Sequence, residues 1–222
     1  MNNNNSNNSK PVVLATFNAR YIHASLALRL LSENWYDANW PVRLFEGTLE
    51  DQPAAAAERI LAENPALVGF SVYIWNVELT EKVVRILRRV APNLLLVAGG
   101  PEMAADETGP GPWIQDLDGI VYGESERSLP EICAHLLANP PPAHARPVRF
   151  HPEPPELADL RLPVGSYTDE DIAHRTVAVE ASRGCPMRCA FCTAAGSGVS
   201  RFPAWKVVAQ LQALYDRGAR FF

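Results

Sequence analysis

The 222-residue sequence lacks any run of about 18 apolar residues, the length that a membrane-spanning helix requires. Its first ten residues also lack the basic and apolar regions of a secretory signal, so the sequence predicts a cytoplasmic protein with no membrane partner. Nor is there a basic excess, because 20 Lys and Arg against 25 Asp and Glu give a formal net charge of -5. Without positive charge to displace counterions, no nucleic-acid partner is expected, and a small-molecule substrate is favoured.

Cysteine is scarce, with four residues in the chain, and it is unevenly placed. Cys185, Cys189 and Cys192 fall within eight positions, whereas a disulfide framework would scatter cysteines through a small chain. On one loop, three thiolates can converge on one face of a 4Fe-4S cluster and leave the fourth iron open. Zinc is the alternative metal, but no second Cys pair is present, and neither His151 nor His174 stands at a zinc spacing.

From Pro11 onward, short apolar runs alternate with helical patterns, beginning with a strand from Val12 to Phe17 and a helix from Ser25 to Asn34. Strands that are separated by helices pair in parallel, with right-handed crossovers and helices on both faces of the sheet. The sequence therefore predicts an α/β fold, a flavodoxin-like doubly wound parallel sheet, over residues 11–138. The other predicted strands are 42–45, 67–73, 94–98 and 119–122, and the other predicted helices begin near residues 51, 78 and 128.

Two segments beside this domain have compositions that resist folding. Residues 1–10, MNNNNSNNSK, cannot bury apolar surface, and we expect a mobile tail. Residues 139–170 are predicted to be a linker, because eight of the chain's 19 prolines lie between Asn139 and Pro163.

Residues 171–222 are predicted to begin a second domain. The pattern gives a strand at 176–180, the cysteine loop, a helix from Ala204 to Arg217 closed by Gly218, and the start of another strand. A single βα unit leaves its strand edge unpaired and its apolar face open. We therefore expect either that the chain is a fragment or that this unit packs against the first domain.

The cysteine loop carries a specific family resemblance. The pattern Cys-x-x-x-Cys-x-aromatic-Cys, with Phe191 as the aromatic residue, resembles the radical S-adenosylmethionine superfamily, whose domain is a βα barrel. The flanking residues resemble the subgroup that has an N-terminal cobalamin-binding domain; they are Ser182, Arg183, Gly184 and Pro186.

The resemblance implies a set of cofactors. Cys185, Cys189 and Cys192 would bind the 4Fe-4S cluster, its open iron would chelate S-adenosylmethionine, and the backbone near Phe191 would contact the adenine. A reductant such as flavodoxin or ferredoxin would supply the electron that cleaves S-adenosylmethionine to a 5′-deoxyadenosyl radical. The family's remaining S-adenosylmethionine contacts lie on later barrel strands, so we expect these 222 residues alone to be catalytically inactive.

Cobalamin contacts are implied at the carboxyl ends of the predicted strands, where doubly wound sheets bind ligands. Ser71 with Tyr73 resembles the position that faces the nucleotide loop, and Gly99-Gly100 resembles the paired glycines that let a bulky base approach the backbone. Each also has a purely structural explanation, and only together do they favour a ligand pocket. The predicted cobalamin contacts are Asn18, Arg20, Ser71, Tyr73, Gly99, Gly100, Gly123 and Glu124.

The Asp-x-His-x-x-Gly motif of several cobalamin enzymes is missing, and His23 lies in the corresponding loop at the wrong spacing, so no cobalt-ligating His is expected. The predicted function is reductive cleavage of S-adenosylmethionine with cobalamin as second cofactor, with methyl transfer to an unactivated carbon as its outcome. Two alternatives stay open. A methylthiotransferase-like radical enzyme needs three further N-terminal cysteines, where only Cys133 is present, and a non-catalytic cobalamin or cluster carrier or sensor would use the same residues without turnover.

Overall fold

A computed structural model describes most of the chain, namely residues 10–36, 40–103, 110–192 and 198–222. The tail expected over residues 1–10 therefore lies outside the described residues, except for Lys10, which is exposed. Within the described ranges, no helix has both the length and the apolar character needed to cross a membrane.

The N-terminal part of the chain builds one parallel sheet. Its strands are β1 (Val12–Asn18), β2 (Val42–Thr48), β3 (Leu67–Ser71), β4 (Leu95–Gly99), β5 (Gly119–Val121) and β6 (Val148–Phe150). They are arranged in the order β2-β1-β3-β4-β5-β6, and the first five have the flavodoxin-like order, so the predicted doubly wound sheet is confirmed. In the register, Val12 of β1 lies opposite both Val42 and Leu67, and every residue of β1 is buried.

Helices cover both faces of this sheet; they are α1 (Leu26–Glu33), α2 (Pro53–Ala62), α3 (Val77–Val90) and α4 (Leu129–Ala138). On one face, Ile60 of α2 and Leu87 of α3 belong to a buried cluster with Phe17. On the other face, α1 and α4 pack over a second cluster, in which Leu28 accompanies Leu14. Leu14 and Phe17 belong to the same strand and serve opposite cores, because side chains alternate across a strand.

The proline-rich stretch contains β6, which the sequence did not predict. Val148 lies opposite Gly119, and Phe150 lies opposite Val121, in parallel pairing with β5. β6 is at the edge of the sheet, and edge strands tolerate nearby prolines because one side of their backbone needs no partner. The sheet therefore continues beyond residue 138, where the first domain was predicted to end.

The C-terminal part contains two helices and, between them, two strands. In chain order these elements are α5 (Asp169–His174), β7 (Ser182–Cys185), β8 (Gly198–Arg201) and α6 (Ala204–Asp216). β7 and β8 pair antiparallel. Tyr167, Ile172, Val177 and Leu214 form a small buried cluster, to which Ala24 from the loop after β1 also belongs. Gly218 follows α6 with a φ of +109°, a conformation that suits a glycine closing a helix, as predicted.

The strand predicted over residues 176–180 is wrong. Thr176 makes an isolated parallel bridge to His23 and donates its N–H to the Ile22 carbonyl at 2.9 Å. Val177 donates to the Phe221 carbonyl at 3.0 Å. The Ala178 carbonyl accepts from the Tyr167 hydroxyl at 2.6 Å, which is a side-chain contact. A strand needs a continuous backbone ladder, and these isolated contacts do not form one.

A buried charge network joins the sheet to the C-terminal part. Arg29 of α1 contacts Glu46 of β2 at 2.7 Å and Asp171 of α5 at 2.8 Å. Arg175 contacts the same two carboxylates at 2.9 Å each and donates to the His23 carbonyl at 2.7 Å. All four charged side chains are at most 10% exposed, so two cations and two anions neutralise one another inside this junction.

Candidate cofactor site

A cavity of about 180 Å³ opens at the carboxyl ends of β3, β4 and β5, and residues of α1 and α4 contribute to its walls. This is the edge at which doubly wound sheets bind ligands. The structure brings six of the eight predicted cobalamin contacts together there; they are Ser71, Tyr73, Gly99, Gly100, Gly123 and Glu124. Contact of these residues with cobalamin itself stays a prediction.

Glycines give the cavity its shape. A Cβ on Gly100 would lie 2.6 Å from the Val72 carbonyl oxygen, and Gly100 has a φ of +106°, so only glycine fits there. Gly123 has a φ of +77° and open space around it, so its turn requires glycine while its surroundings do not. Gly69 and Gly99 line the cavity from within their strands and carry no side chain there, whereas Leu14, Val97 and Val121 line it with apolar side chains.

An aromatic pair stands beside the cavity. The rings of Tyr73, which lines the cavity, and Trp75 stack with centroids 4.5 Å apart and planes 6° apart. Trp75 is 50% exposed and Ile74 is 75% exposed. Large apolar side chains are therefore presented to solvent next to the opening, an arrangement typical of a surface that covers a ligand.

Asn18 and Arg20 do not line this cavity. The Asn18 side-chain amide donates to Glu46 at 2.9 Å, so it supports the charged junction instead. Arg20 is exposed. Their contact with cobalamin stays a prediction without support from the cavity.

An acidic cluster links the cavity to the hairpin. Arg183 of β7 donates to Glu124 at 2.8 Å, to Glu126 at 2.5 Å and to Glu180 at 3.0 Å. Glu124 and Glu126 both line the cavity. Burial by itself would lower the pKa of Arg183, but hydrogen bonds to Glu180 and Glu126 raise that pKa above its ordinary value. The guanidinium therefore stays charged and ties the loop after β5 to the strand that leads into the cysteine loop.

The predicted cluster ligands lie at the end of β7 and in the loop that follows it. Cys185 closes β7 and is half-buried, whereas Cys189 and Cys192 are exposed, and the Cys192 N–H donates to the Cys189 carbonyl at 3.1 Å. Phe191 between them is 93% exposed. Among the described residues, which include all four cysteines, no disulfide forms and no set of three His, Cys, Asp or Glu side chains converges as metal ligands. The donor set fits an iron–sulfur cluster, because soft thiolates are its ligands, although the three thiols are not gathered around a common point.

Comparison with known proteins identifies the sheet. Residues 12–133 match the family model of the B12 binding domain, which is more than half of the chain. The chain belongs to the B12-binding domain family. The resemblance to cobalamin-binding proteins is thereby confirmed, and the B12-binding domain spans β1 to β5 together with the cavity at their ends.

More than half of the chain is similar to each of two curated proteins. The 2-(S-pantetheinyl)-carbapenam-3-carboxylate methyltransferase of Streptantibioticus cattleyicolor is 29% identical, over 71% of this chain and 25% of that protein. The cobalamin-dependent radical SAM methyltransferase TokK of Streptomyces tokunonensis is 30% identical, over 58% of this chain and 22% of that protein. The chain thus spans about a quarter of the length of the curated relatives that it matches.

A solved structure shares the fold of both parts. The cobalamin-dependent S-adenosylmethionine radical enzyme OxsB superposes with a TM-score of 0.69 at 16% identity, covering 94% of this chain and 32% of that chain. The superposition therefore extends past the B12-binding domain into the C-terminal part.

Asn76, Glu126 and the contact that Arg183 makes at the site were not predicted from the sequence. Buried Asn76 donates to the carbonyls of Phe17 and Ser71 at 3.2 Å each and so ties the ends of β1 and β3. Glu126 and Arg183 carry the acidic cluster beside the B12-binding cavity. An Asn that follows a strand and precedes a helix was a usable signal for Asn76, but nothing local marks Glu126 as the partner of a residue 57 positions away.

Proposed function

We propose that this chain binds cobalamin at the cavity and carries the start of a radical S-adenosylmethionine domain, within an enzyme that transfers a methyl group to an unactivated carbon. The observation that supports this most is the cavity: six residues selected from the sequence line it, inside the span of the B12-binding family model. The names of two relatives supply the reaction class, methyl transfer.

The residues of the cavity suit one portion of cobalamin rather than the whole cofactor. A volume of about 180 Å³ admits a group such as the nucleotide base, and the larger ring would lie outside, over the strand ends. Because Gly69 and Gly99 have no side chains, a flat group could approach the backbone at these two positions, and Tyr73 with Trp75 would shield that group from water. When bound, cobalamin would supply the methyl group for transfer.

Cys185, Cys189 and Cys192 would hold the 4Fe-4S cluster through thiolate ligands and leave one iron for S-adenosylmethionine, with the backbone near Phe191 beside the adenine. The loop is exposed at Cys189 and Cys192, so thiolates are accessible to iron during assembly. A reductant such as flavodoxin or ferredoxin and a small-molecule substrate complete the proposal.

The cavity is tested by filling it from α1. Ala27 lines the cavity, so Ala27→Phe places a ring in the space that the ligand would take. We expect the 222-residue chain to bind hydroxocobalamin, followed by its visible spectrum, and Ala27→Phe to raise the Kd by about tenfold or more.

Ala55→Phe is the matched control, because Ala55 is an exposed position of α2 and does not line the cavity. Its Kd should stay within about twofold of wild type, since a surface substitution away from the site removes no contact. Equal binding by wild type and Ala27→Phe would refute this cavity as the site, and no binding by wild type would refute the proposed function.

A further inference from the structure

Only one of the two carboxylate oxygens of Glu126 accepts a hydrogen bond from a described residue. Its Oε1 accepts from Arg183 at 2.5 Å, whereas its Oε2 is buried and has no hydrogen-bond partner among the described residues. The side chain is 9% exposed, and the residue lines the cavity. Buried polar atoms in folded proteins are almost always paired, and an unpaired one is costly, so this oxygen calls for an explanation.

The surrounding charges do not provide that explanation. Arg183 is shared among three carboxylates, those of Glu124, Glu126 and Glu180, and Glu180 alone accepts hydrogen bonds through both of its oxygens. The guanidinium has five N–H donors in a fixed fork, so its geometry holds Glu126 through Oε1 and leaves Oε2 unused. A carboxylate held in this way is a rigid acceptor beside the cavity.

We propose that Glu126 is a specificity-determining residue of the cavity, whose Oε2 accepts a hydrogen bond from an N–H or O–H group of the ligand. The inference rests on the proposed function in that the ligand is taken to be a cobalamin. Two groups of cobalamin carry such donors, the primary amides on the ring and the hydroxyl of the nucleotide ribose. A ligand that presented only acceptors at this point would bind more weakly, because its lone pairs would repel the buried carboxylate and could not form the hydrogen bond.

Glu126→Gln tests the acceptor with little change of shape. We expect the Kd of the 222-residue chain for hydroxocobalamin to rise by about tenfold or more, since hydrogen bonds to buried charged groups are strong. Glu180→Gln is the control, because Glu180 contacts the same Arg183 but does not line the cavity. Its Kd should remain within about twofold of wild type, which separates loss of the ligand contact from loss of an Arg183 partner.

Cobinamide, which keeps the ring amides and lacks the nucleotide, identifies the donor. If Glu126→Gln weakens cobalamin alone, the ribose hydroxyl is the donor, and if it weakens both probes equally, a ring amide is. Either result supports the proposal, whereas unchanged Kd values for both probes would overturn it.

Two further outcomes keep the tests separate. Should Glu126→Gln fail to fold, as judged by thermal unfolding, Glu126→Asp retains the charge for Arg183 and withdraws Oε2 by one methylene, and the same thresholds apply. If wild type binds hydroxocobalamin and the Glu126 variants bind equally well, only this inference fails. If the wild-type chain binds neither hydroxocobalamin nor cobinamide, both the proposed function and this inference are refuted.

Discussion

Asp171 shows how a single carboxylate can stabilise the junction between the two parts of the chain. Burial by itself would raise its pKa, but hydrogen bonds from Arg29, the Thr168 N–H and Arg175 lower that pKa to about 2. The pKa in the folded protein is thus below the ordinary value of 3.8. The ionised carboxylate therefore stabilises the fold above about pH 4, and this contribution is lost as the pH falls towards 2.

Asp171→Asn should remove this contribution. At 1.36 kcal/mol per pKa unit, the shift corresponds to about 2 kcal/mol. We expect the free energy of unfolding in urea at pH 7 to fall by at least that amount. Between pH 4 and pH 2 the variant should lose less stability than wild type, with a remaining slope from Glu46, whose pKa is also lowered.

The control for this prediction is Asp169→Asn in the same helix. Asp169 is 98% exposed and contacts Arg217, so its removal should change the unfolding free energy by less than about 1 kcal/mol. Parallel pH profiles for wild type and Asp171→Asn would show that Asp171 does not carry the acid dependence.

Among the elements, the hairpin β7–β8 determines where the cysteines lie. Cys185 is opposite Gly198 in the last pair of the hairpin, and Gly184 and Gly198 adopt φ values of +85° and +76°. Glycines in these conformations let the chain leave the hairpin sharply. Cys189 and Cys192 consequently lie after the end of β7 at exposed positions, rather than within a strand.

Cys189→Ala tests whether this connection holds a cluster. With one of three thiolates removed, we expect anaerobically reconstituted protein to keep less than about half of the wild-type iron and acid-labile sulfide. Cys133→Ala is the control, because Cys133 is buried in α4, and its iron content should equal that of wild type. Zinc in place of iron, or undiminished iron in Cys189→Ala, would contradict the cluster assignment.

At the scale of the whole molecule, the buried charge network connects the two predicted domains. Arg175 donates to the carbonyls of Tyr21 and His23 and to two buried carboxylates, so it connects α5 with the loop after β1 and with β2. Removing one partner from a buried ion pair leaves an uncompensated charge. The expectation that the C-terminal unit packs against the first domain therefore agrees with these contacts.

Arg175→Met should lower the free energy of unfolding by about 3 kcal/mol, since Met preserves the apolar stem and leaves Glu46 and Asp171 with less charge compensation. Arg43→Met is the matched control, because Arg43 forms an exposed pair with Glu63 at 2.6 Å and is 62% exposed. That control should cost less than about 1 kcal/mol. Similar losses for both variants, measured by urea unfolding at pH 7, would show that the junction contributes no more than a surface ion pair.

Local patterns in the sequence determined the alternation of strands and helices from β1 to α4 and the cysteine motif. The periodicity of apolar residues and the spacing of the three cysteines involve residues that are close together in the chain, so a single sequence is enough to find them. The same patterns misplaced a strand at residues 176–180 and missed β6, because a strand depends on partners that are remote in the chain.

Only the tertiary structure decided which of the predicted cobalamin contacts line one cavity. Ser71, Gly99 and Glu124 line it, whereas the Asn18 side chain donates a hydrogen bond to Glu46 and does not line the cavity. Pairing across long separations, as between Glu126 and Arg183, leaves no periodic trace in the sequence, since burial and charge are set by the packed chain as a whole.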